Sequence, residues 1–207
     1  MSFEDRSGLG LRERKKRETR AALSAAALRL AIDRGLSNVL VEDIAAAVNV
    51  SPRTFNNYFH SKEDAILSPA LTRVGQLRGA LADRPVDEPL WDAVAGALVQ
   101  GHPRGRNLCV WRDQSRLIKV TASLSAARAR IFASIEGPLA AEIGRRTGTD
   151  VDRDLYPRLA AGVIATGARV AIDHWVESTL RHPVEELLER ALREIARGLP
   201  PPGFTGD

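Results

Sequence analysis

Apolar residues in this chain return at intervals of three and four rather than alternately, the spacing of helices that bury one face. Leu23, Ala27, Leu30 and Ala31 make one such stripe, and predict a first helix from about Arg12 to Arg34 that stops at Gly35. Val41, Ile44, Ala45 and Val48 make a second, about two turns long. Asn49 and Val50 break that pattern. Ser51 followed by Pro52 then restarts a helix, with a hydroxyl to cap free N–H groups and a proline whose missing donor costs nothing at that position. Ser61, with Asp64 three residues on, starts a longer helix that carries Ile66, Ala70, Val74, Leu77 and Leu81 to about Ala82. Pro69 lies inside it, removes the bond to the Ala65 carbonyl and predicts a bend.

Asp83 to Pro89, with two prolines and an acid cluster, marks a boundary. The pattern beyond it is helical: about Glu88 to Gln100, Arg106 to Val120, Ala122 to Arg146, Asp152 to Leu180 and Val184 to Gly198. GHPRG at Gly101 to Gly105 predicts a turn, Gly137-Pro138 a kink, and Met1 to Gly10 and Pro200 to Asp207 disorder. The stretch Asp154 to Trp175 is apolar nearly all round and needs cover on most sides. A twofold bundle formed with the last helix, whose stripe is Leu187, Leu188, Ala191, Leu192 and Ile195, would give that cover, and so would a central place in a monomer. The expected class is all-α, with an N-terminal helical unit at 1–62, a connecting helix and linker at 63–86, and a helical body at 87–207.

Composition narrows the function. The chain has 207 residues and a net charge of +4, but residues 1–62 hold 11 Lys and Arg against 7 Asp and Glu, while residues 63–207 hold 19 of each. A basic first third on a neutral remainder suits a protein of which one part meets phosphate. No stretch approaches the roughly twenty apolar residues of a membrane span, and Met1 to Arg20 is too charged for a signal peptide. The expectation is a cytoplasmic protein without a membrane partner. Cys109 is the single cysteine and is expected to be a buried small hydrophobe. An enzyme is not expected, because GxSxG, HExxH and paired CxxC elements are all missing. Asp173, His174, Glu177 and His182 lie close in sequence but do not share one helix face, so no metal site is predicted.

The chemistry lies on the helix that starts at Pro52. Phe55 and Phe59 form its apolar side, whereas Arg53, Thr54, Asn56, Asn57 and His60 present cationic, hydroxyl and amide groups with no carboxylate. Such a face can approach phosphate and read base edges through bidentate donors and acceptors. Two short helices, the second with this face, describe a helix-turn-helix, against which stands an ordinary helical hairpin of a bundle. The stretch IAAAVNVSPRTFNNYFHSKEDAI resembles the DNA-binding segment of tetracycline-repressor (TetR) type regulators: Ile44, Ala45, Val50, Ser51, Thr54, Phe55, Tyr58, Phe59, Lys62 and Glu63 fall in register. Leu40 stands where Thr is usual, which removes a cap, and Asn49 where Gly is common. The resemblance implies a ligand-released repressor, homodimeric on a palindromic double-stranded operator. Ser51, Arg53, Thr54, Asn56, Asn57, Tyr58, His60 and Lys62 are its DNA contacts, with Tyr58 and Lys62 on phosphates. The basic run containing Arg14, Lys15 and Arg17 is either a solvated helix face or an arm for the DNA backbone or minor groove.

The second part carries a weaker resemblance. Arg116-Leu117-Ile118, Leu124 to Arg128 and Ala168 to Ala171 ahead of Trp175 are similar to the ligand domain of mycofactocin-system regulators, which are associated with acyl-CoA-like effectors. This implies no cofactor but a small-molecule effector, an acyl-CoA or another hydrophobic metabolite, in an apolar pocket among the helices from Glu88 onward. Trp111 and Trp175 are candidates to line it. Arg112, Arg116 and Arg128 are either contacts for an anionic head group or surface ion-pair residues. The other functional class left open is a helical interaction or scaffold protein with a degenerate DNA-binding head.

Overall fold

The computed structural model describes residues 10–100, 106–178 and 183–199. The expected disordered ends, the Gly101–Gly105 turn and His182 lie outside them. The chain forms α1 (Leu11–Arg34), a short 3-10 turn (Leu36–Asn38), α2 (Val41–Ala46), α3 (Pro52–Asn56), α4 (Lys62–Ala82), α5 (Leu90–Gln100), α6 (Arg106–Val120), α7 (Ala122–Thr147), α8 (Leu155–Glu177) and α9 (Val184–Ala196). No strand occurs among the described residues, so the class is all-α. The chain divides between Pro69 and Ala70 into two compact units.

In the first unit the predicted stripe is the core. Leu23, Ala27, Leu30 and Ala31 of α1 are buried with Ile44, Ala45, Phe55, Phe59 and Ile66, and the rings of Phe55 and Phe59 meet at 5.6 Å. Polar staples orient the short helices on that core. Arg20 donates from Nε to Ser68 Oγ at 3.2 Å and from Nη1 to the Tyr58 carbonyl at 3.1 Å, while its guanidinium lies over the Phe59 ring. Arg20, part of the basic run, is therefore a brace for the end of the α3 segment. Leu40 provides no side-chain cap for α2, but the other half of the cap is present, since its backbone N–H donates to Asp43 Oδ2 at 3.0 Å. Asn49 has φ 56°. Glycine is common there because the turn needs the left-handed region, and asparagine tolerates that region better than other side chains.

Pro69 sits within a continuous α4, and the carbonyl it leaves without a helical donor is taken from outside the helix: Ser24 Oγ donates to Ala65 O at 2.7 Å. Ser24 is 4% exposed, so water cannot replace it. Ser24→Ala should therefore strand a buried acceptor and lower stability by about 1 to 3 kcal/mol, to be read from the urea midpoint of the whole chain. Ser24→Ala combined with Pro69→Ala, which restores the helical donor, should recover most of the loss.

The second unit has two buried clusters. Leu81, Val94, Leu98, Leu139, Ile143, Ile164 and Leu192 centre one of them; Trp111, Ala168, Ala171, Trp175, Val184 and Leu188 form the other. Arg146 of α7, its side chain only 2% exposed, donates to the carbonyls of Leu81, Arg84 and Pro85 at 2.5, 2.9 and 2.8 Å and to Glu142 at 2.9 Å. It thereby ties the end of α4 and the turn that follows it to α7. Glu142 also accepts Arg145, and that bond, then Arg146, holds its carboxyl below the ordinary glutamate range. α7 runs unbroken through Gly137-Pro138 and ends at Gly148, which has φ 69°.

Several expectations are corrected here. α8 starts at Leu155 rather than Asp152, because Asp150 and Asp154 side chains accept from the backbone N–H groups of Asp152 and Asp150 and hold a turn there. It stops at Glu177 rather than Leu180, with Ser178 extended. Within one chain its cover leaves one side open, where Leu155, Leu159 and Val170 are more than half exposed. Cys109 is exposed, not buried, since it lies away from the Trp111 and Ile118 face of α6.

Candidate nucleic-acid interface and ligand cavity

Ser51 caps α3 by accepting from the Thr54 N–H at 3.1 Å, and the two hydroxyls are 2.9 Å apart. Proline at the first helical position and Phe55 in the core fix the remaining rotation. Arg53, Asn56, Asn57 and His60 are thereby left exposed, and Thr54 and Tyr58 half-buried. From Ile44 to Lys62 the chain has no Asp or Glu, so nothing on this face repels phosphate. Arg14, Lys15 and Arg17 are exposed on the first turns of α1, where Arg14 meets Glu18 at 3.8 Å. Exposed pairs of that kind add little stability and leave the cation available.

Lys62, expected on a phosphate, has a structural part within the unit. Its ammonium donates to the carbonyls of Leu36 and Val39 at 2.7 and 2.9 Å, closing the 3-10 turn between α1 and α2. Two of its three donors are thus engaged inside the unit. Lys62→Met should lower stability by about 1 to 3 kcal/mol by leaving two carbonyls without partners. The salt dependence of DNA affinity should stay unchanged; a slope shallower by about one unit would return a phosphate contact to this residue.

The second unit contains a cavity of about 130 Å³ with nearly all-apolar walls, bounded by α4, α6, α7 and α8 with Leu98 of α5 and Leu188 of α9. Engineered apolar cavities of roughly 150 Å³ admit benzene, so a ring or short chain fits. Trp111 lines it, and its ring meets that of Trp175 at 5.0 Å; Trp175 backs the wall without forming it. The arginines separate by position. Arg112 donates to the carbonyls of Trp175 and Ser178 at 3.2 and 2.7 Å, and Arg116 to that of Val176 at 3.5 Å. Both secure the end of α8, and neither is among the residues that line the cavity; the Nε of Arg112 is buried without an acceptor. Arg128 does line the cavity and pairs with Asp173 at 2.7 Å, and Arg169 lines it beside the same carboxylate at 3.5 Å.

Arg73 completes the lining, and sequence reasoning missed it. It donates to Gln114 Oε1 at 2.8 Å and lies 5.3 Å from the centre of the Trp111 ring. A signal was present, because Ala70, Arg73, Val74 and Leu77 fall at i, i+3, i+4 and i+7, which puts a cation at an inward-facing position. Glu177 pairs with Lys119, and no group of three or more His, Cys, Asp or Glu placed to hold a metal occurs among the described residues. No described helix is long and apolar enough to cross a membrane.

Residues 23–67 match the family profile of bacterial regulatory proteins of the tetR family, and residues 88–200 match that of the MftR C-terminal domain. The chain belongs to the TetR family of transcriptional regulators. It is 37% identical to the HTH-type transcriptional regulator TcmR of Streptomyces glaucescens over 176 residues, covering 82% of this chain and 78% of that protein. It is also 28% identical to the Mycobacterium tuberculosis protein designated MftR over 164 residues, 79% and 82% of the two. The fold matches a TetR-family protein of Syntrophomonas wolfei at a TM-score of 0.64 with 20% identity, covering 91% of this chain and all of the other. Thermus thermophilus FadR, a repressor solved in complex with lauroyl-CoA, matches at 0.56 with 22% identity, covering 91% and 98%. This TetR-family chain is a DNA-binding transcriptional regulator, and the scaffold alternative has no support.

Proposed function

We propose that this regulator is a cytoplasmic homodimeric repressor of a palindromic operator, released when a hydrophobic small molecule enters the cavity of the second unit. The observation that carries this reading is that one helix serves both parts: α4 places Ile66 in the core of the first unit and Ala70, Arg73, Val74 and Leu77 in the cavity wall of the second. Residues 1–62 act as the DNA head, 63–86 as the connection and 87–207 as the ligand and dimer body. On DNA, Arg53, Thr54, Asn56 and Asn57 read bases, while Ser51, Tyr58, His60 and the arm of Arg14, Lys15 and Arg17 hold the backbone. The exposed Leu155, Leu159 and Val170 of α8 support a second copy as the covering surface. An acyl-CoA is one effector chemistry, supported by the lauroyl-CoA bound to the T. thermophilus relative.

A twofold dimer reading successive major grooves places its α3 helices about 34 to 36 Å apart. The test is gel-shift titration of the purified chain on a fragment containing the promoter of its own gene, with its mass in solution measured in parallel. A dimer that retards this fragment at concentrations at least a hundredfold below those needed for scrambled DNA is expected. A monomer, or equal affinity for both fragments, overturns the reading.

A further inference from the structure

The ligand cavity is apolar except at its cations. Arg73, Arg128 and Arg169 all line it, and the one carboxylate beside them, Asp173, is held by Arg128 and Arg169. Arg73 has no carboxylate partner among the described residues: one nitrogen donates to the neutral Gln114 amide, and its guanidinium carbon lies over the Trp111 ring. A guanidinium has five N–H donors, so most of those on Arg73 are without protein acceptors. Burial alone lowers the pKa of this arginine to about 10, with no opposing carboxylate to raise it. Ser115, buried on the same wall, adds a hydroxyl. An unpaired cation in an apolar hollow is costly unless an anion joins it, and a planar guanidinium fits a carboxylate through two parallel bonds.

We propose that the cavity takes a free hydrophobic carboxylic acid, with its carboxylate on Arg73 and Ser115 and its apolar body against Ile118, Phe132 and Ile135. This inference rests on the effector reading of the same cavity but names a different chemistry from a coenzyme A thioester. The buried end of a thioester is neutral, whereas this cavity places a cation inside. Arg128 and Arg169 both bond to the Asp173 carboxylate, whereas Arg73 has none among the described residues, so Arg73 is the counter-ion.

Binding is measured on the full chain by quenching of Trp111 emission and by calorimetry, without DNA. The probes are octanoate and 2-naphthoate, with 1-octanol and 2-naphthalenemethanol as their neutral counterparts, and octanoyl-CoA. At least one acid should bind at least tenfold more tightly than its alcohol and more tightly than octanoyl-CoA. Arg73→Gln should bring the acid down to the affinity of the alcohol and leave the alcohol unchanged, and Arg73→Lys should fall between. An alcohol that binds as well as its acid, octanoyl-CoA binding tighter than both acids, or neither acid binding at millimolar concentration overturns the proposal. The wild-type ratio of acid to alcohol decides the matter even if a variant fails to fold. An acid that binds through Arg73 yet leaves operator affinity unchanged would sustain this inference and overturn the effector reading instead.

Discussion

Asn57→Ala should lower operator affinity by about 1 to 3 kcal/mol in each half-site, the discrimination carried by one good amide contact to a base. Because a dimer presents the residue twice, the whole complex should lose roughly thirtyfold to twenty-thousandfold. The reason is positional. Asn56 and Asn57 are exposed, on a helix whose start is fixed by the Ser51 cap and whose other side is anchored by Phe55 in the core. Among the described residues neither side-chain amide ties the unit together, and the bonds of Asn57 to Arg53 O and Thr54 O come from its backbone N–H, so removal of either amide should leave the melting temperature nearly unchanged. Anisotropy titration on operator and scrambled DNA checks this: the loss should fall on the operator, with relaxed preference at one base position per half-site. Equal losses on both fragments would make Asn57 a backbone contact, and a fall in melting temperature of more than a few degrees would make it structural.

Lys62 and Asn57 show what the sequence makes legible and what it does not. Periodicity found α1 to within a residue and the α2–α3 pair with its Ser51 start, because each depends on neighbours three or four positions away. Lys62 depends on Leu36 and Val39, more than twenty residues earlier, and only tertiary structure brings their carbonyls to its ammonium. Ser24 is the same kind of case: the proline that frees the Ala65 carbonyl was visible, but not the hydroxyl 41 residues away that takes it up. In the cavity the error ran the other way. Arg112 and Arg116 drew notice beside Trp111, and they hold the end of α8, whereas Arg73, which broke an otherwise apolar stripe at an inward position, lies on the cavity wall with Arg128 and Arg169. Trp111 and Trp175 were both candidates for the pocket wall, and only packing decides that Trp111 lines it while Trp175 stands behind.

The regulatory reading demands an effect equal in both directions. If an effector in the cavity weakens operator binding a hundredfold, the coupling free energy is about 2.7 kcal/mol, and bound operator must weaken effector binding by the same hundredfold. That size is attainable with a small change, because a twofold dimer needs both α3 helices at one spacing, about 34 to 36 Å, to contact both half-sites together. α4 is the element through which the demand is met: Val74 and Leu77 on the cavity wall and Ile66 in the first unit are positions of one helix. Val74→Trp, which fills the cavity from that helix, should act as a permanent effector by lowering operator affinity at least tenfold while abolishing ligand binding. Calorimetry of ligand binding with and without saturating operator gives one factor, and DNA titration with and without saturating ligand gives the other. Unequal factors would show that one of the two experiments is not at equilibrium. Two factors of one, with tight ligand binding, would show that the cavity does not control the DNA head.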